Sequence, residues 1–496
     1  MKNDSYILSI DQSTSGTKAV LIDRSASVVA RSTIEHAQIF PQPGWVEHDP
    51  EEIYTNTLEA ISTVLKQSNT APSSIGCLSV SNQRETVLAW NRKTGRPIAN
   101  AVVWQCMRGE ALCRALKANG HEDMVRERTG LIIDPYFSAS GLAWLLENVE
   151  GARDLAKSGD LLAGTMDSWL VWKLTGGKVH ATDFTNASRT MLMDLHTLSW
   201  DPEIAALFNI PRSILPNILP SDEIFGETSA EGLFETEVPI SGIFGDSHAA
   251  LFGQRCFTAG MSKVTYGTGS SVMMNIGDMP SSAPGGLVTS VGFSIKNRTN
   301  FVFEGNIHST GATIKWMADS LKLLPSSAES AKIAASVEDT AGVIFIPAFA
   351  GLGAPYWNNT VRAAVLGITG GTTAAHLVRA GLESIAYQVK DLIDLMKEKA
   401  GIEIQETRVD GGPTNNDFLM QFQADMINSP IRVSDIEEAS ALGAGLAGGL
   451  GTGVWDSLET IEKLYKSKAV MKPEMDTEKR NKLYKEWLDA VHQLLK

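Results

Sequence analysis

A chain of 496 residues is longer than one ordinary hydrophobic core supports, so at least two domains are expected. Hydrophobic residues make up 43% and charged residues 20%, the balance of a folded globular protein rather than a disordered one. A formal net charge of −14 argues against nucleic acid or an anionic membrane as main partner, since both recruit basic surfaces.

From the N-terminus, Tyr6-Ile7-Leu8-Ser9-Ile10 is cut short by Asp11, which leaves no secretory apolar region. The four cysteines, Cys77, Cys106, Cys113 and Cys256, form no Cys-x-x-Cys pair and no zinc pattern. A reducing, cytoplasmic setting is therefore expected, and homo-oligomerisation is left open. The opening reads as a β-meander over residues 6–11, 18–23 and 27–33, and strands follow at Ile75 to Ser81 and Thr86 to Trp90. Helical spacing appears between them and recurs in Leu142 to Leu146 and Trp169 to Trp172.

After Pro239 to Gly245 a second copy of the opening pattern begins, so the chain divides into residues 1–253 and 254–496. Val378, Leu382, Ile385, Val389, Ile393 and Met396 mark one apolar helix face. The strand Thr407 to Val409 then leads into the loop Asp410 to Asp417, where Asn and Asp are N-cap types for the apolar helix from Phe418. Such a loop presents N–H groups at a helix start, and Gly411 and Gly412 let a flat ligand or phosphate lie against the backbone. The uncharged run Ala439 to Trp455, mostly Ala and Gly, falls short of the roughly 20 strongly apolar residues a membrane span needs. It predicts a tightly packed internal helix and no integral membrane segment.

The repeated element carries the chemistry. Asp11-Gln12-Ser13-Thr14-Ser15-Gly16-Thr17-Lys18 links two apolar strands, and Gly267-Thr268-Gly269-Ser270-Ser271 links two more half a chain later. Small residues and hydroxyls at both tips let backbone N–H groups approach phosphate oxygens, and a carboxylate beside phosphate makes sense with a cation between them. Either loop alone reads as an ordinary turn; the pair points to MgATP. On the acceptor side, a carboxylate must take the proton of the attacking hydroxyl. Asp246 follows an apolar strand at the junction of the halves; taken alone it and His248 read as local turn residues. Arg84 and Glu85 pair a donor fork with an acceptor suited to neighbouring hydroxyls, although charge neighbours in sequence are usually a solvated edge. Trp104 and Tyr136 could wall off carbon atoms, with core packing as the default.

Long strings in the chain carry a resemblance. They are Pro43 to Pro50 (PGWVEHDP), Asn82 to Thr86, Val103 to Cys106, Ile133 to Ser138, Thr185 to Leu192, Pro347 to Trp357 and Phe418 to Gln423. The chain resembles the FGGY carbohydrate kinases of the actin-like ATPase superfamily, and within them the branch that acts on glycerol. The resemblance implies an α/β fold of two ribonuclease-H-like domains of the actin and hexokinase type, with ATP in the cleft between them. By position it implies Asp246 as catalytic base and Arg84, Glu85, Trp104 and Tyr136 as acceptor contacts, with Ser247 beside them. It implies Thr14, Ser15, Gly16, Thr268, Gly311, Gly412 and Asn416 as nucleotide contacts, and Asp11 as the carboxylate that organises Mg²⁺ through water.

Departures from that pattern also stand out. Lys18 occupies a usual Arg position, and Lys315 a usual Gln position, both near the nucleotide. Ser247 takes the place of a Gln that binds an acceptor hydroxyl, and Ser271 that of a Phe that packs on the carbon chain. Both shrink a side chain, so the pocket should be larger and more polar. The segment Glu231 to Thr236 lacks the Gly-rich, Arg-bearing loop with which some members bind fructose 1,6-bisphosphate, so no such inhibition is expected. The activity implied is ATP-dependent phosphorylation of a terminal hydroxyl of a small polyol, glycerol first, with a tetritol or ketopentose as the alternative acceptor. A reading from another class, a nucleotide-binding regulator built on the actin-like clamp, is weighed against by the joint presence of Asp246, Arg84 and Glu85.

Overall fold

In the computed structural model, which describes residues 5–283, 285–358, 360–436 and 438–496, the apolar runs at the start form a meander. Its strands are β1 (Tyr6–Gln12), β2 (Gly16–Ile22) and β3 (Val28–Glu35), antiparallel in sequence order. Helix α1 (Pro50–Ser68) follows, begun by Pro50 and by Asp49, whose carboxylate accepts the Glu51 N–H at 2.9 Å. Strand β4 (Ile75–Asn82) then lies parallel to β1. Strands β5 (Glu227–Thr228) and β6 (Val238–Gly245) complete a six-stranded sheet of order β5-β6-β4-β1-β2-β3.

Helix α2 (Asp246–Gly253) starts directly where β6 ends. The second sheet opens with β7 (Met261–Tyr266) and β8 (Ser270–Gly277), followed by β9 (Val288–Ile295) and β10 (Arg298–Ile307). After α3 (Gly311–Asp319) comes α4 (Ala374–Ala400), whose buried residues include the six at the predicted helical spacing. Strand β11 (Glu406–Asp410), helix α5 (Asp417–Ile427), strand β12 (Ile431–Ser434), helix α6 (Ala439–Gly451), strand β13 (Ser467–Met471) and helix α7 (Thr477–Leu495) end the chain. The sheet order is β9-β10-β8-β7-β11-β12-β13.

The two sheets share one plan. The paths β3-β2-β1-β4-β6 and β10-β8-β7-β11-β12 both run through antiparallel pairs and then parallel pairs. The central strands are buried on both faces, as parallel strands covered by helices must be. The strand at Val87–Asn91 stands apart in a small four-stranded sheet with Glu47–His48, Ala101–Val102 and Leu161–Thr165. That insert brings Trp104 beside the first hairpin.

Small residues in α6 answer a packing demand. A Cβ on Gly443 would strike the Ala249 carbonyl of α2, and one on Gly253 would strike the Ala439 carbonyl. The two helices thus cross backbone to backbone. Leu442, Leu446 and Leu450 of α6 then pack with Ile7, Val20, Ile22, Phe244 and Phe252, so a helix from the second half of the chain covers the first sheet. Among the described residues no helix is long and apolar enough to cross a membrane.

Candidate active site

The first hairpin sets a carboxylate at the cleft. Asp11 on β1 lies opposite Lys18 on β2 and beside Ser81 on β4, whose hydroxyl donates to Asp11 Oδ1 at 2.6 Å. Burial pushes the Asp11 carboxyl up to about 6, against the lowering pull of Ser81 and Lys18. The tip closes as a tight turn, with the Ser13 N–H and hydroxyl both donating to the Gly16 carbonyl at 2.9 Å. Thr14 Oγ1 accepts from Trp104 Nε1 at 3.0 Å, Ser15 is exposed at the turn, and Gly16 already belongs to β2. Lys18 turns from the tip and pairs with Glu438 at 2.7 Å.

The second hairpin is tied to a helix start. The Gly267 carbonyl accepts the Gly311 N–H, and the Thr268 carbonyl accepts those of Thr310 and Ala312, which uses up first-turn donors of α3. Ser270 and Ser271 are in β8 rather than in the tip expected from sequence, because pairing resumes at Tyr266 with Ser270. Between β11 and α5, Gly411 takes φ +99°, and a side chain there would meet the Tyr266 carbonyl. Asn416 Oδ1 caps α5 by accepting the Leu419 N–H at 2.9 Å, so that helix-start donor is taken. Its Nδ2 donates to Ser330 Oγ at 3.0 Å.

These loops bound two cavities that meet at Gly267. One, of about 810 Å³, is walled by Thr268, Gly311, Lys315, Gly412 and Asn416. Space over Gly412 is open, and nothing lies within 4 Å of where its Cβ would be, as a ligand against the backbone requires. The other, of about 660 Å³, is walled by Asp11, Ser13, Trp104, Tyr136, Asp246 and Ser247 among others. Thr14, Ser15, Gly16 and Lys18 line neither cavity, and nor do Arg84 and Glu85.

Asp246 is the first residue of α2, and its carboxylate, 34% exposed, is held by Arg84 Nε at 3.2 Å. Arg84 and Glu85 are buried, contrary to a solvated edge. The Arg84 fork grips both oxygens of Glu304 at 2.9 Å each, while Arg189 donates to Glu85 at 2.6 Å and to Glu304 at 2.8 Å. Two arginines and two carboxylates thus neutralise one another across the two sheets. Burial favours protonation of Glu304, but Arg189 and Arg84 outweigh it and hold this carboxyl well below the usual range. Glu85 sits at φ +65°, a strained conformation for a non-glycine residue, and its carbonyl accepts from Ser138 Oγ at 2.8 Å.

Trp104 and Tyr136 meet edge to face at 5.4 Å between ring centroids and form an aromatic wall. His248 is buried with Nε2 on Ser290 Oγ at 2.9 Å, and burial keeps its pKa far below the ordinary value, so it is a neutral local partner. Glu304, Arg189 and Lys263 received no role from sequence reasoning. The signal for Glu304 is a lone carboxylate inside the apolar run Phe301 to Ile307, and that for Arg189 is the one cation in the string Thr185 to Leu192.

Two family models match the chain: the N-terminal domain of the FGGY family of carbohydrate kinases over residues 6–253, and its C-terminal domain over residues 262–451. The chain belongs to the FGGY family of carbohydrate kinases. It is an enzyme of the phosphotransferase class that acts on an alcohol. Among FGGY relatives, "Glycerol kinase 1" of Thermotoga maritima is 50% identical over 490 residues, 99% of each chain. The glycerol kinase of Carboxydothermus hydrogenoformans is 47% identical over 486 residues, 98% of this chain and 97% of the relative. A crystal structure of Plasmodium falciparum glycerol kinase with ADP superposes with a TM-score of 0.95 at 37% identity, covering 99% of this chain and 98% of that one. The xylulose kinase of Lactobacillus acidophilus shares the fold, with a TM-score of 0.88 at 20% identity over 99% and 98%. ATP use follows from family membership and the ADP-bound relative.

The metal fit rests on Asp11. Among the described residues no group of three His, Cys, Asp or Glu could hold a metal ion by itself. A buried carboxylate with one hydroxyl donor fits a Mg²⁺ ion that keeps most of its ligands from water and phosphate.

Proposed function

We propose that this cleft transfers the γ-phosphoryl group of ATP to a terminal hydroxyl of a small polyol, with glycerol as acceptor and sn-glycerol 3-phosphate as product. The observation that carries the reading is Asp246, set by Arg84 at the wall of the cavity that joins both hairpin loops. Asp246 takes the proton from the acceptor hydroxyl as that oxygen attacks phosphorus. Trp104 and Tyr136 cover the carbon chain and exclude water, while Arg84 and Glu85 hold neighbouring hydroxyls. Thr268, Gly311, Lys315, Gly412 and Asn416 line the nucleotide side, and Thr14, Ser15, Gly16 and Lys18 back the phosphate turn. Asp11 would hold Mg²⁺ through water, and the ion supplies positive charge to the phosphate oxygens.

Four free, buried cysteines support a reducing, cytoplasmic setting. The test is ADP release from MgATP on addition of glycerol, with the product identified as the phosphomonoester. Asp246→Asn should lower kcat by roughly 10²–10⁴-fold with ATP still bound. Undiminished turnover in that variant, or no acceptor-dependent ADP release by the parent protein, would sink the reading.

A further inference from the structure

The acceptor cavity has two unlike sides. Trp104 and Tyr136 give an aromatic wall from the first half of the chain, and the second sheet gives a polar floor. On that sheet Thr265 of β7 lies opposite Ser271 of β8, and Ser271 lies opposite Asn306 of β10. Directly opposed residues project from the same face, and Lys263, two residues before Thr265, shares it. All four line the cavity, with Ser247 beside Asp246 at its edge.

These groups are under-used. Among the described residues, the Thr265 and Ser271 hydroxyls are buried without a hydrogen-bond partner. Lys263 is 1% exposed, yet among the described residues its ammonium, with three donors to place, meets one acceptor, the Ser247 carbonyl at 3.4 Å. The side chains of Ser247 and Asn306 form no hydrogen bond among the described residues. Buried polar groups in folded proteins are nearly always partnered, so several orphans on one cavity face call for a polar occupant. A three-carbon triol has no hydroxyl left for the floor once its own three are engaged near Asp246, Arg84 and Glu85. A cavity of about 660 Å³ leaves room for more chain.

We propose that the acceptor chamber takes a linear polyol of four or five carbons at least as efficiently as glycerol, its outer hydroxyls partnered by Lys263, Thr265, Ser271 and Asn306. The inference rests on the reading of this cleft as a polyol kinase site. The chemical step balances in the same way. The bond from the γ-phosphorus to the ADP oxygen breaks, a bond to the polyol's terminal oxygen forms, the proton passes to Asp246, and ADP leaves.

Initial rates of ADP release are measured at saturating MgATP with glycerol, erythritol, ribitol, xylitol and arabinitol. At least one longer polyol should match or exceed glycerol in kcat/KM. Ser271→Phe, which fills the floor, should lower the ratio of that polyol to glycerol by about tenfold or more. Ser271→Ala, which adds no bulk, should lower the ratio in the same direction and carries the test if the larger side chain prevents folding. Glycerol leading every longer polyol by more than about tenfold would overturn this inference and leave the polyol kinase reading standing. An unmoved ratio with a raised KM for ATP would give the floor to the nucleotide and overturn it too. Release of no ADP with any acceptor would overturn both readings.

Discussion

Replacing Glu304 by glutamine tests the ion cluster that joins the two sheets. The change keeps the shape but removes the charge that accepts two bonds from Arg84, at 2.9 Å each, and one from Arg189 at 2.8 Å. An amide offers a single acceptor oxygen, and its NH₂ faces a guanidinium donor, so at most part of the set survives. Two buried cations are then left with Glu85 and the partly exposed Asp246. Removing one partner of a buried pair costs about 3–5 kcal/mol, and three charge-assisted bonds argue for the upper end. The pH dependence has a definite sign. The Glu304 carboxyl is held below its unfolded value, so its stabilisation is fully present above that value, near 4.5, and is lost as pH falls through the folded one. The urea midpoint, followed by tryptophan fluorescence at pH 7.5, 6 and 4, should therefore be lower in Glu304→Gln at the first two values and converge on the parent in stronger acid. In the same protein Arg84 loses the anchor of its fork, so kcat for the acceptor should fall more than the KM for ATP rises. An unchanged midpoint at pH 7.5 together with parental kcat would refute the reasoning, because a cluster of this burial cannot lose a charge silently.

Four further outcomes are expected. Asp11 titrates at about 6 because burial raises it, so without ligand its ionised form destabilises the fold as pH rises through that value. Asp11→Asn should raise ligand-free stability at pH 8 by about 3 kcal/mol while it weakens the Mg²⁺ dependence of kcat/KM at all pH. In the parent the Mg²⁺ requirement should grow as pH falls below 6, and a flat requirement between pH 5 and 7.5 would contradict this. Gly443→Val should push α6 from α2, since the added Cβ meets the Ala249 carbonyl; a thermal midpoint equal to the parent's would show that the helices part without cost. Trp104→Ala should raise acceptor KM by about tenfold, the value of some 60 Å² of lost apolar contact at about 25 cal/mol per Å², while ATP binding measured by calorimetry stays within a factor of three.

Much of the architecture was legible because it is local or repeated. Alternating apolar runs broken by turn residues marked the meander strands, and the three-to-four spacing from Val378 to Met396 marked α4, since periodicity reports burial whatever the partner. The Ala and Gly run Ala439 to Trp455 announces an internal helix by composition, found at Ala439–Gly451, but not that this helix covers the first sheet. Of the acceptor candidates, Trp104, Tyr136 and Asp246 line one cavity, while Arg84 and Glu85 do not line it and sit in the buried ion cluster that holds Asp246. The nucleotide candidates divide: Thr268, Gly311, Lys315, Gly412 and Asn416 line one cavity, while Thr14, Ser15, Gly16 and Lys18 form and back the opposite turn. Lys18 was the hardest to foresee, because its partner Glu438 lies more than 400 residues away.

The amino-acid sequence by itself determined the duplicated hairpin plan, the two sheets and the family, and it offered Asp246 as the candidate proton acceptor, because each is written in short spacings or long matching strings. Only the tertiary structure decided which charges neutralise which. Glu304 comes from the second sheet, Arg84, Glu85 and Arg189 from the first half of the chain, and no local pattern encodes their meeting. It also decided that Ser271 leaves the loop tip and faces the acceptor cavity, since strand pairing with Thr265 and Asn306 sets its direction. Such choices depend on which surfaces the fold removes from water together, and that is a property of the packed chain.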